Sequence, residues 1–578
     1  MKIVLFFSCI GLVSFLSAQT PCVNGMAGNY PCRNMDLLKF MTLEACGCDP
    51  AGNSNDIWGW VSPTTGKEYA ILGCSNVASF IDVTDPVNPQ LIGTLPAHNV
   101  SSLWRDLEAG GNWLYVVSEA DGHGMQVFDL TQLDGVTAPP VVFQESAYYG
   151  GFGHCHTVNV DQVSGYVYAY GTNTFTGGLH IVDVSDPLNP VLAGGYDGSG
   201  YTHDGFAWTY DGPDPDHQGQ EIVIGCNGRG NSDDDKLVFV DVTVKTDCQL
   251  IGAYDFGGEA QPGYFHQGWV TKNKKYFLMD DELDEMALGN NQQPYGTRTH
   301  IFNITDLDHV TYEGFYESTS QAIDHDLYVL DQFVYESNYR SGVRVIDAIR
   351  VADGQLSEVG FFDLFPDNDL AQFSGTWGNY PYLPSGIVIA SSMYDGMFIL
   401  KPSVITTSQD TWDLCSTADF TFNITINADL AFPLTVGLEG LGGATASAAV
   451  ISQQGTATIT ISGINTLAAG DYTPNLLLMS NFGEEYAIPL DMSICPTIAV
   501  EELADTPLQV YPNPAQEQLN VRLKTPVNFI EILDATGKIV RTVPVQGQRN
   551  LSIDVKSMAD GAYSLKAGEY AIRVIIAH

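Results

Sequence analysis

The chain has 578 residues, 24 Lys and Arg against 68 Asp and Glu, and a formal net charge of −44. That balance argues against a nucleic-acid binder, because affinity for phosphate backbones comes from Lys and Arg, and against anionic membrane surfaces. Charged residues are 16% and hydrophobic residues 44% of the chain, so it has the apolar content for real cores and is not a charge-rich disordered protein; its length suits about three or four domains.

The N-terminus reads Met1-Lys2, an apolar run from Ile3 to Leu16, then Ser17-Ala18-Gln19. A short basic start, an apolar stretch below the ~20 residues of a membrane span and a small-residue site predict an export signal over residues 1–18, cut after Ala18. No later run reaches membrane-spanning length, so the mature protein is expected to be exported, without a transmembrane segment. Removing Cys9 leaves ten cysteines, an even number that fits disulfides in an exported chain. Proximity in sequence suggests Cys22 with Cys32, Cys226 with Cys248 and Cys415 with Cys495. Cys46 and Cys48 are open to pairing with each other or elsewhere, and Cys74 and Cys155 read as buried strand residues. With no pair of CxxC motifs, structural zinc is disfavoured.

From about residue 50 to 402 one pattern returns. Ser79-Phe80-Ile81-Asp82-Val83-Thr84-Asp85-Pro86-Val87-Asn88-Pro89 matches His180-Ile181-Val182-Asp183-Val184-Ser185-Asp186-Pro187-Leu188-Asn189-Pro190, and weaker copies start near Gln126, Val238, His300 and Val343. Each alternating strand runs into a turn and a further short strand, and a strand pair lies upstream (Tyr69–Leu72, Tyr166–Tyr170, Ile222–Gly225). Four strands per unit and a period near 50 residues predict an all-β fold led by a seven-bladed β-propeller over residues 19–402. The seventh unit, Trp377 to Lys401, lacks an outer strand, which Leu37–Leu43 is expected to supply. The region resembles the choice-of-anchor B family of LVIVD-repeat proteins, on Asp56-Ile57-Trp58-Gly59-Trp60, the two Asp-Pro stretches, His266-Gln267-Gly268-Trp269, Asp280–Glu285 and Asp324-His325-Asp326. The resemblance implies a secreted or surface-anchored propeller and carries no activity with it.

Aligning the first strand of each unit gives Asn55-Asp56, Arg105-Asp106, His156-Thr157, His203-Asp204, His266-Gln267 and His325-Asp326, at spacings of 50, 51, 47, 63 and 59 residues. Such strands line a propeller's channel, so His156, His203, His266 and His325 should converge on one mouth of it and be largely neutral. Three readings stay open: bonds from each His to a neighbouring blade, a divalent transition metal on the axis with Asp204 and Asp326 orienting ring nitrogens, and a polar ligand at the mouth. Asp56 and Asp106 are candidate ligand-binding residues of the same ring. Asp280 and Asp281, in the run Asp280–Glu285, and Asp233–Asp235 read as acidic loops, solvated or holding Ca²⁺, although neither run has the spacing of a calcium loop. No G-x-S-x-G, H-E-x-x-H or phosphate-binding glycine loop occurs, which favours a binding module for a polysaccharide, protein or cation over the alternative of a metal-dependent enzyme.

Residues 403–504 alternate as strands framed by Cys415 and Cys495 and read as an immunoglobulin-like spacer. Residues 505–578 carry Tyr511-Pro512-Asn513-Pro514, Asp534-Ala535-Thr536-Gly537-Lys538 and Asp560-Gly561-Ala562-Tyr563, the turns of a small β-sandwich. They resemble the C-terminal sorting domain (type A) of the type IX secretion system, save that the chain ends on His578 without the usual basic residue. The resemblance implies the type IX machinery as a partner and a place outside the cell, on its outer surface or released.

Overall fold

The computed structural model describes residues 19–228, 235–256, 264–286, 296–409, 411–414, 419–494, 508–525, 527–545, 547–568 and 570–578. The expected export signal and the Cys415–Cys495 pair lie outside them. The described chain is built almost wholly of antiparallel strands, and it divides into a unit ending at Ile494 and a second from Cys495 to His578. Among the described residues no helix is long and apolar enough to cross a membrane.

Seven sheets occupy the stretch from Met26 to Pro402. Their inner strands are Ser54–Val61, Arg105–Gly110, Thr157–Asp161, Asp204–Thr209, Phe265–Val270, Asp326–Leu330 and Thr376–Tyr380. Each packs against the next in chain order and the seventh returns to the first, which makes a β-propeller. The seventh sheet is completed as expected: Met35–Thr42 pairs antiparallel with Gly396–Pro402, from Met35 opposite Pro402 to Thr42 opposite Gly396. The two ends of the propeller sequence thus share one sheet.

The repeated Asp-Pro motif has a local cause. Asp82 and Asp183 accept the backbone N–H two residues on, from Thr84 and Ser185. The second Asp of each copy accepts from the backbone of Val87 or Leu188 and from the amide of Asn88 or Asn189. These side-chain turns stop the third strand and, with a backbone bond from Asn88 to Asp85 and from Asn189 to Asp186, reverse the chain. The outer strand carries a bulge at an equivalent place in six sheets, opposite Phe80/Ile81, Ile181/Val182, Phe239/Val240, Ile301/Phe302, Val345/Ile346 and Ile399/Leu400, which adds twist where the sheets fan out. A glycine there is a packing requirement: a Cβ on Gly194 would lie 1.8 Å from the carbonyl oxygen of Lys245 in the next sheet.

Apolar seams hold neighbouring sheets together. Phe80 is fully buried between the first two, with ring centroids 4.9 Å from Phe128 and 5.5 Å from Phe143. Phe80→Ala should cost about 3–5 kcal/mol of unfolding free energy; a urea titration giving less than about 1 kcal/mol would show that the seam is not close-packed there.

Cysteine pairing differs in part from the sequence reading. Cys22–Cys32 forms as expected, with Cα atoms 5.9 Å apart. Cys74 bonds to Cys48, also at 5.9 Å, and so ties the segment after the closing strand to the first sheet. Cys226 and Cys248 are both free. Cys226 shares its row with Leu237 and Tyr254, whereas Cys248 precedes Gln249, which pairs with Asp241 at the other end of the sheet. At roughly 3.3 Å per residue that separation far exceeds the ~7 Å limit for a disulfide.

Strands from Ile405 to Ile494 form three small sheets, including a parallel pair of Thr411–Leu414 with Asp491–Ile494. Their core is continuous with the propeller's: Trp412, Ile424 and Tyr486 belong to one cluster with Val345 and Leu400. Polar bonds reinforce the join. Tyr486 donates its hydroxyl to Asp347 at 2.7 Å, Asp331 accepts from the backbone of Ala487 at 2.8 Å, and Asn273 donates to Glu484 at 2.8 Å. The second unit has two sheets, of three and four strands, around Leu519, Ile530, Leu565 and Val574. In its Tyr-Pro-Asn-Pro turn, Asn513 donates to the carbonyl of Arg573 and accepts from Ile575, which fastens the turn to the last strand.

Candidate functional site

The first strand of each sheet delivers one residue to the channel mouth. Hydrogen bonds from the backbone N–H of His156 to Tyr170 and of His203 to Cys226 hold two of these positions against the second strands. The four imidazoles converge as their register requires: ring centroids are 4.2 Å apart for His156 and His203, 4.4 Å for His203 and His266, and 4.6 Å for His266 and His325. Trp377 of the seventh sheet extends the arc, 4.6 Å from His325.

Three of the rings are also tied to the next sheet. Nδ1 of His203 bonds to the carbonyl of His266 at 3.3 Å, that of His266 to the carbonyl of His325 at 2.7 Å, and that of His325 to the carbonyl of Trp377 at 2.7 Å. A carbonyl only accepts, so Nδ1 carries the proton and the neutral ring keeps its lone pair on Nε2. Bonding between blades and convergence on the axis are therefore compatible. The Nε2 atoms of His266 and His325 lie 3.8 and 4.0 Å from the carboxylate of Glu282, which also accepts from the Tyr339 hydroxyl at 2.8 Å. His156 differs: its Nδ1 meets Glu119 at 2.6 Å.

Electrostatics separate the rings. Burial, and then the neighbouring imidazoles, hold His203 and His266 well below the usual imidazole range, as expected of neutral rings. His325 departs from the expectation. Burial depresses it, but Asp326, with Oδ2 3.2 Å from Nδ1, and Glu282 outweigh burial and raise it to about 9. It therefore holds a proton more firmly than His203 or His266, and a metal ion taking its Nε2 would have to displace that proton.

Beneath the imidazoles lies an acidic layer. Asp56 accepts from the backbone N–H of Leu107 at 3.1 Å and Asp106 from that of Val158 at 2.7 Å, so each clips the next inner strand; Gln267 does the same to Leu327 at 3.0 Å. Asp204 accepts from Gly205 at 2.5 Å. Burial first, and then mutual repulsion, push Asp56 up to about 7 and Asp106 and Asp204 well above the carboxylate range. The layer and the imidazoles bound one cavity of about 50 Å³, reached also by Arg105. Arg105 is 1% exposed; it donates to the carbonyl of Cys74 at 2.9 Å and to His123 at 3.0 Å, and its Nη2 has no hydrogen-bond partner. Within this site His266, His325 and Asp326 offer ligand atoms all within 4.8 Å of one another. The space has room for an ion with a few waters.

The acidic run does not behave as a solvated loop. Asp280 and Asp281 end the strand Tyr276–Asp281 and are fully buried, and Asp284 and Glu285 follow in a buried 3₁₀ turn. The apolar strand carries them inward and the turn closes over them. Asp280 and Asp281 thus stand apart from the axial cavity's lining. Of the second run, Asp233 and Asp234 lie outside the described residues; Asp235 is buried. The reading of sequence alone overlooked Arg105, Trp377 and Glu282 as site residues. Register could have flagged Arg105, which occupies the His position of its sheet. Nothing in linear spacing marks Glu282, which reaches His266 and His325 only because its turn folds back over them.

Comparison with known proteins bears on both units. Residues 162–198 match the LVIVD repeat, and residues 509–575 match the secretion system C-terminal sorting domain. The first stretch covers most of the third sheet. The second marks a secreted protein handled by the type IX system and of a kind usually attached to the cell surface. No curated protein matches the chain. Similar solved structures include the extracellular domain of BT4673 from B. thetaiotaomicron, 12% identical over 82% of this chain and 59% of that one, with a TM-score of 0.39. Others are the computationally designed Ika8 protein (11%, 60% and 82%, TM-score 0.35) and a protein from Lactobacillus plantarum (14%, 77% and 97%, TM-score 0.35). The chain spans 59% of the length of the Bacteroides domain.

Proposed function

We propose that this secreted protein is a seven-bladed propeller of the choice-of-anchor B type, carried to the cell surface by its sorting domain with an immunoglobulin-like spacer between, and that it is a binding module whose ligand is a divalent transition-metal ion at the channel mouth. His266 and His325 would supply imidazole nitrogen, Asp326 and Glu282 carboxylate oxygen, and His156 and His203 would close the site. The observation that carries the reading is the gathering of ligand atoms of His266, His325 and Asp326 within 4.8 Å. An ion with bonds of about 2.1 Å sets adjacent donors about 3–4 Å apart, a small adjustment from this arrangement. Imidazole donors suit zinc, copper or iron, and the acidic layer beneath favours any cation over an anion.

Metal analysis tests this. The purified mature protein, incubated with zinc and dialysed, should keep about one equivalent, and His266→Ala should lower zinc affinity by about 100-fold with an unchanged far-ultraviolet circular dichroism spectrum. Failure of the wild type to retain zinc, copper or iron, or full retention by the variant, would remove the proposal. A metal-dependent enzyme is the second reading, favoured by the small cavity beside the imidazoles, which has room for a metal-bound water. It requires turnover that disappears with the metal and returns on its restoration.

A further inference from the structure

A second group of metal-ligating side chains lies at the other end of the blades. The inner strand Asp204–Thr209 of the fourth sheet starts at the channel mouth beside His203, and residues 210–220 follow its far end. They carry Asp214 and His217 to the turn of the fifth sheet that holds Asp308, between the strands Arg298–Asn303 and Thr311–Glu317. One ligand atom from each of the three lies within 4.8 Å of the other two. Nε2 of His217 is 3.2 Å from Asp308 Oδ2, and its Nδ1 is 2.6 Å from Gln220 Oε1. Asp214 is 4% exposed and the His217 side chain 11%, whereas that of Asp308 is half exposed. The two sheets are held in place around them. Asp214 Oδ2 accepts from the backbone N–H of Leu307 at 2.9 Å and its Oδ1 from that of Asp216 at 3.0 Å, and Leu307 belongs to one buried cluster with Trp208 and Tyr210. Among the described residues no Lys or Arg forms an ion pair with Asp214 or Asp308.

His217 is the telling member. Gln220 Oε1 only accepts, so Nδ1 carries a proton and is spoken for. Nε2 then faces the carboxylate of Asp308, with that of Asp214 close by. A neutral ring would set its Nε2 lone pair against an anionic oxygen, so a positive centre is required between them: a second proton or a metal ion. A proton on Nε2 serves one oxygen, whereas a divalent ion in the gap meets the imidazole and both carboxylates at once. The oxygens of Asp214 each hold one backbone N–H and keep a further lone pair. An Nδ1–H bonded to an amide oxygen is also the support that orients a metal-bound imidazole. We propose that Asp214, His217 and Asp308 form a divalent transition-metal site that clasps the fourth and fifth sheets at the end of the blades away from the channel mouth. Zinc bonds of about 2.1 Å set tetrahedral donors about 3.4 Å apart, close to the 3.2 Å already present between Nε2 and Oδ2; Asp308, being exposed, is free to turn, and water takes the fourth place. One nitrogen and two oxygens suit zinc better than calcium, which takes six to eight oxygens. The site shares no residue with the axial one and stands whether or not that reading holds.

Zinc chloride is the probe. The full secreted chain, loaded with zinc and dialysed, should take up one further equivalent by calorimetry, held more weakly because Asp308 leaves the site open to solvent. Its melting temperature should rise by about 3 °C at free zinc about 100-fold above that dissociation constant. Asp308→Asn keeps the volume of an exposed side chain and removes its charge; it should weaken this equivalent by at least about 100-fold, the upper end of what losing a mere supporting group costs, and cancel the rise. His217→Ala should do the same, and if it does not fold, Asp308→Asn decides alone. His309→Ala, next to Asp308 but bonded to Asp306, should change neither reading. His266→Ala should keep both, so failure of the axial site and failure of this one are read apart. Absence of the further equivalent or of the rise in the wild type would overturn the proposal, as would full affinity in Asp308→Asn or His217→Ala, which would mark zinc held adventitiously on an acidic surface.

Discussion

Deleting residues 20–43 should abolish the cooperative unfolding transition of the propeller. The segment supplies the outer strand of the seventh sheet, and Met35, Leu38, Met41 and Leu43 are all buried in it or just after it. Truncating one large buried side chain costs about 2–5 kcal/mol, and a whole domain is stable by only about 5–15 kcal/mol. Losing four such groups and a ladder of backbone bonds exceeds that margin. The deletion also exposes the edge Gly396–Pro402, which invites pairing with another chain. Calorimetry and size-exclusion chromatography check this: the expected variant is aggregated or melts without a peak. A monomer melting within a few degrees of wild type would mean that the ring does not depend on its shared sheet.

That closure was legible in the sequence because the seventh unit visibly lacked a strand and an unassigned apolar run lay upstream. The convergence of the imidazoles was legible for a related reason: a repeat fixes radius and height, so equivalent positions coincide whatever the side chains do. What escaped the sequence depends on contacts that no period encodes. Cys48 finds Cys74 because the closing strand brings the N-terminal segment over the first sheet. The acidic run looked solvated because its composition is that of a surface loop, and only the turn at Asp284–Met286 puts it inside. The join of the 405–494 strands to the propeller rests on single side chains such as Tyr486 and Asp331, which carry no mark in a linear reading. The protonation of His325 hangs on Asp326 lying against its Nδ1; Asp204 holds the same sequence position beside His203 and bonds instead to Gly205.

Cation-free protein should lose stability as pH rises from 5 to 8. Two buried acids that do not line the channel cavity set the sign. Burial pushes Glu336 from 4.5 up to about 7, against the opposing hydrogen bonds of Thr299 and Asn338. Burial pushes Asp347 from 3.8 up to about 6, against hydrogen bonds from Ile349 and Tyr486. A carboxyl whose folded value lies above its unfolded one binds its proton more tightly in the native state. Its stabilising contribution is complete below about pH 4 and is lost as pH rises through 6 and 7. At about 1.4 kcal/mol per unit, each of these two groups removes roughly 3 kcal/mol by pH 8. The raised acids of the channel, Asp56, Asp106, Glu108 and Asp204, act in the same direction. Thermal unfolding in chelator at pH 5, 6, 7 and 8 should therefore give a falling melting temperature. Glu336→Gln keeps the volume and removes the ionisation, so it should flatten part of the slope, equalling wild type at pH 5 and exceeding it at pH 8. A melting temperature that rises with pH over this range would mean that these carboxylates are stabilised in their charged form.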